Sequence, residues 1–140
     1  MLADPYFRRA PPKSTGRDHF NIQWLHAFGV AQYSGEDVQA TLAELTARTI
    51  GGATARFCSG VEEAYVCGGG AHNTDLIRRL QRALPDCRID STDRLGVPPD
   101  WVEAMAFAWL AQRALKNESG NLPTVTGARG ARVLGAVYPA

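Results

Sequence analysis

The stretch Tyr65–Leu76, YVCGGGAHNTDL, constrains the fold more than any other part of the chain, because a short apolar run leads into three glycines and then a helical pattern. A strand that ends in glycines and continues into a helix leaves backbone N–H groups bare and pointed at one spot, since glycine has no Cβ to keep a ligand away. Such a turn can hold an anion or a nucleotide. Equally, the glycines can simply let a buried strand turn sharply. The residues alone leave both interpretations open.

Length and composition favour one globular domain over residues 1–140. The chain is 45% hydrophobic and 21% charged, which is ordinary for a folded domain of this size. Its formal net charge of +1 implies no bulk attraction to nucleic acid or to an anionic membrane. The uncharged, mainly apolar run Ala104–Gln112 is shorter than the roughly 20 residues of a membrane-spanning helix. We therefore expect neither a nucleic acid nor a membrane as partner.

The cysteines and histidines show no spacing that is typical of a disulfide framework or a metal site. No CxxC pair occurs, and the first residues, MLADPYFRR, lack the apolar segment of a signal peptide. These features predict a reduced, cytoplasmic protein without a structural metal site. The residues concerned are Cys58, Cys67, Cys87, His19, His26 and His72.

Two helical patterns precede the glycine stretch. Phe20, Trp24 and Phe28 fall at i, i+4 and i+8, which predicts a short amphipathic helix. Ser34 followed by Asp37 resembles a capping box. It predicts a helix from about Gly35 to Ile50, which Gly51 and Gly52 should end.

A strand–turn–helix–strand order surrounds the glycines. We expect strands at Ala64–Cys67 and Cys87–Asp90. Between them, Asn73 or Thr74 should cap a helix that Pro85 stops. The buried stripe of this helix should contain Leu76, Ile77, Leu80 and Leu84, with Arg78 and Arg79 on its solvated surface.

A longer helix should run from Pro99 or Asp100 to about Lys116. Its larger apolar residues share one face and alanines fill much of the rest, so we expect it to be buried on most sides. Glu103 is the only charged residue of the segment 101–112 and lies near the helix start, where the helix dipole favours a carboxylate. A last strand is expected over Val133–Val137. Helices that alternate with short apolar strands predict an α/β layered domain.

Four segments in this order closely resemble the C-terminal part of bacterial anhydro-N-acetylmuramic acid kinases. They are PPKSTGRDHFN (11–21), VCGGGAHN (66–73), WVEAMAFAWLA (101–111) and GNLPTVTGA (120–128). The resemblance extends from Pro5 to Pro139. It implies one lobe of an actin-like ATPase (ribonuclease H-like) fold, with a mixed sheet and flanking helices, in which two α/β lobes close on a nucleotide.

The resemblance also implies an activity. Members of this family use ATP with Mg²⁺ to phosphorylate the anhydro-sugar released from peptidoglycan, and they open its anhydro bridge with water in the same step to give N-acetylmuramic acid 6-phosphate. Family members pair as dimers, so a homodimer is a further expectation.

The same resemblance assigns roles to individual residues. Gly68, Gly69 and Gly70 match the family's adenosine motif and should meet the adenosine end of ATP. Asn73 either donates a hydrogen bond to the nucleotide or serves only as a helix cap. Glu103 either contacts the sugar or orients the attacking water, or it is simply an acid in the first turn of a helix. His72 is given no role. Lys13 and Arg17 could order the lobe interface or meet phosphate, or be merely solvated.

The family's first phosphate loop and catalytic aspartate belong to a preceding half of the protein, so no residue of this chain is assigned as catalytic. We expect this chain to need that N-terminal lobe as a partner, to be nearly inactive by itself, and to expose a cleft that favours association. The alternative is a non-catalytic module that binds adenine nucleotide or only folds and pairs with another chain.

Overall fold

The computed structural model describes residues 1–138 as a small α/β unit. Its helices and strands are, in chain order, α1 (Pro5–Arg8), α2 (Ile22–His26), α3 (Gly35–Phe57), β1 (Glu63–Val66), α4 (Thr74–Ala83), β2 (Arg88–Ser91), α5 (Val102–Leu115) and α6 (Pro123–Thr126). Single 3-10 turns lie at Val30–Gln32, Gly68–His72, Thr92–Leu95 and Pro99–Trp101.

The two strands and the helix between them form a parallel β–α–β unit. β1 and β2 pair in parallel, with Glu63 opposite Arg88 and Val66 opposite Ser91. Both strands begin and end within one residue of the predicted positions. The α/β class predicted from the sequence is thereby confirmed.

The core lies where α4 packs against α3 and β2. Four side chains there are buried, namely Ala47, Leu80, Leu84 and Cys87. Leu80 and Leu84 belong to the predicted stripe of α4, and full burial of such a side chain contributes about 1.5–3 kcal/mol. Packing of this apolar stripe holds α4 across the sheet.

The start of α3 is confirmed, but its predicted end at Gly51–Gly52 is wrong. The Ser34 hydroxyl accepts a hydrogen bond from the backbone N–H of Asp37 at 3.1 Å and caps the helix. The helix then continues through both glycines to Phe57. A Cβ at position 51 would lie only 2.8 Å from Cβ of Ala83 in α4. Gly51 therefore serves close packing of two helices rather than helix termination.

The short helix predicted around Trp24 is confirmed as α2. Asn21 caps it, because its side-chain oxygen accepts from the N–H of Trp24 at 2.8 Å. The rings of Phe20, Trp24 and Phe28 follow one another edge to face, with centroids 5.0 Å apart at both contacts. This aromatic stack holds the N-terminal part of the chain together.

Helix α5 has the predicted bounds within three residues, but the prediction that it is buried on most sides is wrong for the described chain. Met105 is 53% exposed, Phe107 63% and Trp109 50%. The Pro99–Trp101 turn contacts the start of α5, and loop residues pack near Leu110 in its second half. Nothing in the described chain covers the apolar face between these two contacts.

The strand predicted over Val133–Val137 is also wrong. This segment is irregular, and the φ of +110° at Gly135 lies outside the strand region. The sheet of the described residues contains only β1 and β2. The backbone N–H of Gly120 donates to the carbonyl of Arg132 at 3.0 Å, so the segment packs against the loop after α5 instead.

Candidate functional site

The three glycines after β1 have different surroundings. Gly68 has a φ of +66°, in the left-handed region that favours glycine, and it opens the 3-10 turn Gly68–His72. A Cβ at Gly68 or Gly69 would meet no protein atom within 4 Å, whereas one at Gly70 would lie 3.6 Å from Cδ2 of Leu76. The turn therefore presents bare backbone to open space at its first two glycines and packs against α4 at the third.

Asn73 caps α4. Its Oδ1 accepts a hydrogen bond from the backbone N–H of Leu76 at 3.0 Å. Its Nδ2 makes no hydrogen bond within residues 1–138. The cap role is thus established, and the amide group keeps a donor that a ligand could use.

The glycine turn lies against the start of α5. The Gly68–His72 turn contacts the Pro99–Trp101 turn, where Pro99 is buried. Nε2 of His72 lies 2.9 Å from Oδ1 of Asp100. Because an ionised carboxylate only accepts hydrogen bonds, the ring nitrogen donates. The two turns are joined although 28 residues separate His72 from Asp100.

Glu103 lies in the first turn of α5, just beyond this contact. Its side chain is exposed and has no hydrogen bond or ion pair within the described part of the chain. Trp101, at the N-cap position, supplies no side-chain hydrogen bond. The start of α5 therefore combines an unengaged carboxylate with a helix N-terminus that has no side-chain cap, beside the glycine turn.

The start of α4, which follows the glycine turn, already carries a carboxylate. Nε of Arg79 donates to Asp75 at 2.7 Å, and Arg78 donates to the same carboxylate. Hydrogen bonds from Arg79 first, and from Arg78 second, hold the pKa of Asp75 below its usual range. The charge of Asp75 occupies part of the positive helix end, so a second anion there gains less.

Arg79 is not on a solvated surface, so the expectation for this residue is wrong. Its side chain is only 18% exposed and donates from Nη1 to Glu44 of α3 at 2.7 Å. It thereby bridges two helices, while Arg78 remains exposed. The planar guanidinium suits such a double contact because it offers several donors in a fixed geometry.

The segment around Lys13 lies against the segment 120–128, which also carries the family resemblance. Nζ of Lys13 donates to the carbonyl of Tyr6 at 3.2 Å and lies 4.7 Å from the centre of its ring. A Cβ at Gly127 would lie 3.6 Å from the carbonyl oxygen of Pro12. Lys13 therefore has a structural partner within the chain. Arg17 lines a groove of about 640 Å³ beside α2.

Two grooves of the described chain lie apart from the glycine turn and Glu103, although Arg17 lines the smaller one. The larger, of about 910 Å³, runs along α3 and includes Tyr33 and Arg48. Neither groove is lined by the glycine turn or by Glu103. The candidate site is therefore not part of either groove.

The residues described here do not by themselves form a magnesium site. Within residues 1–138, no three His, Cys, Asp or Glu side chains converge on one point. Mg²⁺ in nucleotide enzymes is often held by one or two carboxylates together with phosphates and water. No helix in the described part of the chain has the length and apolarity needed to cross a bilayer.

Sequence reasoning missed the His72–Asp100 contact. Its two residues belong to different segments, and neither shows a local pattern that indicates a partner. A single sequence carries no signal for a pair so far apart along the chain. Arg79 was missed for the same reason, because Glu44 lies 35 residues away on another helix.

Comparison with known proteins identifies a family for the whole chain. The family description "Anhydro-N-acetylmuramic acid kinase" matches residues 1–140. Proteins of that name from Pseudomonas syringae pv. tomato and Nitrosomonas europaea are 54% and 52% identical to it, over 100% of this chain. The protein from Chromohalobacter salexigens is 53% identical over 99% of the chain. The chain spans about two fifths of the length of these curated relatives, 39%, 39% and 38% respectively.

Proposed function

The chain belongs to the anhydro-N-acetylmuramic acid kinase family, and from this premise we propose that it forms the nucleotide-binding lobe of such a kinase. The lobe spans residues 1–140 and has one half of an actin-like ATPase fold. The parallel β–α–β unit with a glycine turn after its first strand supports this assignment, because nucleotides bind at the carboxyl ends of parallel strands.

The proposed reaction transfers the γ-phosphoryl group of ATP to anhydro-N-acetylmuramic acid. Water adds across the anhydro bridge in the same step, so that the products are ADP and N-acetylmuramic acid 6-phosphate. The relatives that carry this name are about two and a half times as long as the chain. We therefore assign the first phosphate loop and the general base to family sequence outside these 140 residues.

The observation that carries the proposal is the open backbone at Gly68 and Gly69. A ribose or adenine ring can approach it closely, because no side chain stands in the way. The carboxylate of Asp75 at the next helix start makes this turn a poorer place for phosphate than for the uncharged adenosine end. Gly70 shapes the turn, and Nδ2 of Asn73 is a candidate donor to the nucleoside.

Glu103 is proposed as the carboxylate that meets the sugar. It has no partner among the described residues that would have to be displaced, and it follows the turn that contacts the glycines. A carboxylate there can accept hydrogen bonds from sugar hydroxyls or orient the attacking water. The proposal further includes a cytoplasmic location and pairing into a homodimer.

A chimeric kinase tests the activity. The matched segment of the Pseudomonas syringae kinase is replaced by this chain, and ADP formation is followed in a coupled assay with anhydro-N-acetylmuramic acid as acceptor. We expect turnover that depends on the sugar, and little or none with the 140-residue chain alone. A folded chimera without turnover would contradict the proposal.

Glu103→Gln in the same chimera tests the sugar role. We expect a loss of about 10²-fold or more in kcat/KM for the sugar, with the affinity for ATP unchanged. Glu118→Gln, in the loop just after the C-terminal end of α5, is the matched control and should behave as the unmodified chimera. Unchanged sugar kinetics in Glu103→Gln would remove this residue from the site.

A non-catalytic pairing module is the second candidate, and the exposed apolar face of α5 favours it. The two candidates differ in nucleotide binding. A chain that associates through α5 but binds neither ADP nor ATP, and that gives an inactive chimera, would be the pairing module.

A further inference from the structure

One hydrogen bond joins the glycine turn to the start of α5. Within residues 1–138, the contact between His72 and Asp100 is the only hydrogen bond between the Gly68–His72 turn and the Pro99–Trp101 turn. The side chains are 60% and 64% exposed. The bond therefore does not belong to the core, and an exposed pair of this kind adds little to stability.

The two turns also contact each other near the buried Pro99, but neither turn has a side-chain cap at this point. The glycine turn has no side-chain hydrogen bond at its N-cap, Cys67, and the N-cap of α5, Trp101, has none either. Apolar packing is non-directional, so it leaves the exact placement of the two segments open. A bond between them then sets their separation.

This separation matters because of what each turn carries. The glycine turn offers the open backbone of Gly68 and Gly69, and the turn before α5 leads directly to Glu103. In phosphoryl transfer, the rate depends mainly on how donor and acceptor are placed relative to each other. A small shift between the turns would move the nucleotide relative to the sugar.

We propose that His72 and Asp100 are positioning residues, which hold the nucleotide turn and the sugar-binding end of α5 in register. This inference rests on the proposed function, since it needs a nucleotide at Gly68 and Gly69. Neither side chain takes part in the chemical step. Their effect passes through the backbone on each side of the bond.

A double-mutant cycle on the 140-residue chain tests the inference, with ADP as the probe and calorimetry as the measurement. His72→Ala and Asp100→Ala should each weaken ADP binding by about two- to fivefold, as expected for an exposed pair. The double variant should bind no more weakly than either single variant. His72→Gln, which keeps a donor, should recover part of the affinity.

Hydrogen exchange supplies a readout that simple destabilisation would not give. In His72→Ala, exchange should accelerate at the amides of Val102–Ala104, and in Asp100→Ala at those of Gly68–Asn73, while α3 and α4 keep their protection. Glu118→Gln breaks an exposed pair at the far end of α5, with Arg113. It is the control and should leave both regions and ADP binding unchanged.

The results distinguish failure of the positioning role from failure of the proposed function. If the wild-type chain binds ADP but both alanine variants bind it equally well, the positioning role is wrong and the proposed function stands. Additive effects of the two substitutions would also contradict the role, because each residue would then act alone. If the wild-type chain shows no ADP binding at all, the nucleotide-lobe proposal fails, and the positioning role fails with it.

Discussion

At the scale of single residues, the three consecutive glycines differ in why glycine is needed. Gly68 has a left-handed backbone, Gly70 packs towards Leu76, and Gly69 has neither a positive φ nor a neighbour within 4 Å of its missing Cβ. The fold of the chain therefore gives no reason for glycine at position 69. A ligand that touches the backbone would give one.

Gly69→Ala is expected to weaken ADP binding by about tenfold without loss of stability. The added methyl group meets no atom of the chain but occupies the space where a nucleoside would lie, and a tenfold change corresponds to about 1.4 kcal/mol. Its melting temperature should be unchanged or slightly higher, since alanine restricts the unfolded chain.

The matched control is Gly52→Ala, an open glycine on helix α3 that is remote from the turn along the chain. Calorimetry and thermal unfolding of both variants are compared. If the two bind ADP equally well, Gly69 has no contact with the nucleotide.

At the scale of elements, the contact between α3 and α4 holds the unit together. Ala47 and Leu80 are buried in it, Gly51 lets the helices approach closely, and Arg79 bonds to Glu44 across it. Apolar burial and an ion pair thus act on the same pair of helices.

The two neighbouring glycines of α3 should respond oppositely to alanine. Gly51→Ala places a methyl group 2.8 Å from Cβ of Ala83 and 3.1 Å from its carbonyl oxygen, and such overpacking costs about 1–3 kcal/mol. Gly52→Ala meets no atom within 4 Å and should stabilise the helix by about 0.5–1 kcal/mol. Urea unfolding of both variants measures the difference. Equal effects of the same sign would show that α3 and α4 do not pack at Gly51.

The Arg79 bridge should make stability depend on pH in acid. Hydrogen bonds from Arg79 lower the pKa of Asp75, and those from Arg48 first and Arg79 second lower the pKa of Glu44. A carboxyl group whose pKa is lowered on folding stabilises the folded state at pH values above its unfolded-state pKa, which is about 4. This contribution is lost as the pH falls through the folded-state values. We therefore expect Arg79→Met to flatten the fall of the urea midpoint between about pH 5 and pH 3.

Arg78→Met is the control for this measurement, because Arg78 is exposed and bonds to Asp75 alone. It should keep most of the acid dependence of the wild-type chain. If Arg79→Met loses stability equally at all pH values, the bridge contributes through packing rather than through its charges.

The sequence predicted those elements that local patterns define. The Ser34 cap, the strand before the glycines and the Asn73 cap all depend on residues within a few positions of one another. The wrong predictions concern features that depend on residues distant along the chain. The local pattern predicts that Gly51 ends the helix, but glycine is needed there because Ala83 of α4 packs against it. The strand expected at Val133–Val137 has no neighbouring strand among the described residues to pair with.

Only part of the candidate site, too, could be predicted from the sequence. The glycine turn and the position of Glu103 at a helix start follow from local patterns. Their proximity does not, because it depends on the contact of two turns that are distant along the chain. The family resemblance supplied the residue roles, and the structure adds the His72–Asp100 bond between them.

At the scale of the whole molecule, the chain exposes more surface than a self-contained protein of its mass. Its accessible surface is 10108 Å², whereas a folded monomer of 15.1 kDa exposes roughly 7,100 Å². The excess is comparable to the area buried in a large obligate interface. Helix α5 exposes large apolar side chains, among them Met105 and Trp109.

We expect this exposed face to drive association of the 140-residue chain. Sedimentation velocity should show species larger than a monomer at micromolar concentration. Met105→Gln with Trp109→Gln should shift them towards monomer with little change in melting temperature, because both side chains are half exposed. The control, Leu122→Gln, changes an exposed apolar residue outside α5. A wild-type chain that stays monomeric would contradict this expectation.

Hydrogen exchange of the 140-residue chain with and without ADP tests the central claim most directly, because it locates the ligand on the chain. The account predicts slower exchange in ADP at the amides of Gly68–Asn73 and at the start of α5, with little change along α3. Saturating ADP that leaves the Gly68–Asn73 amides unchanged, or that protects only the groove along α3, would contradict it.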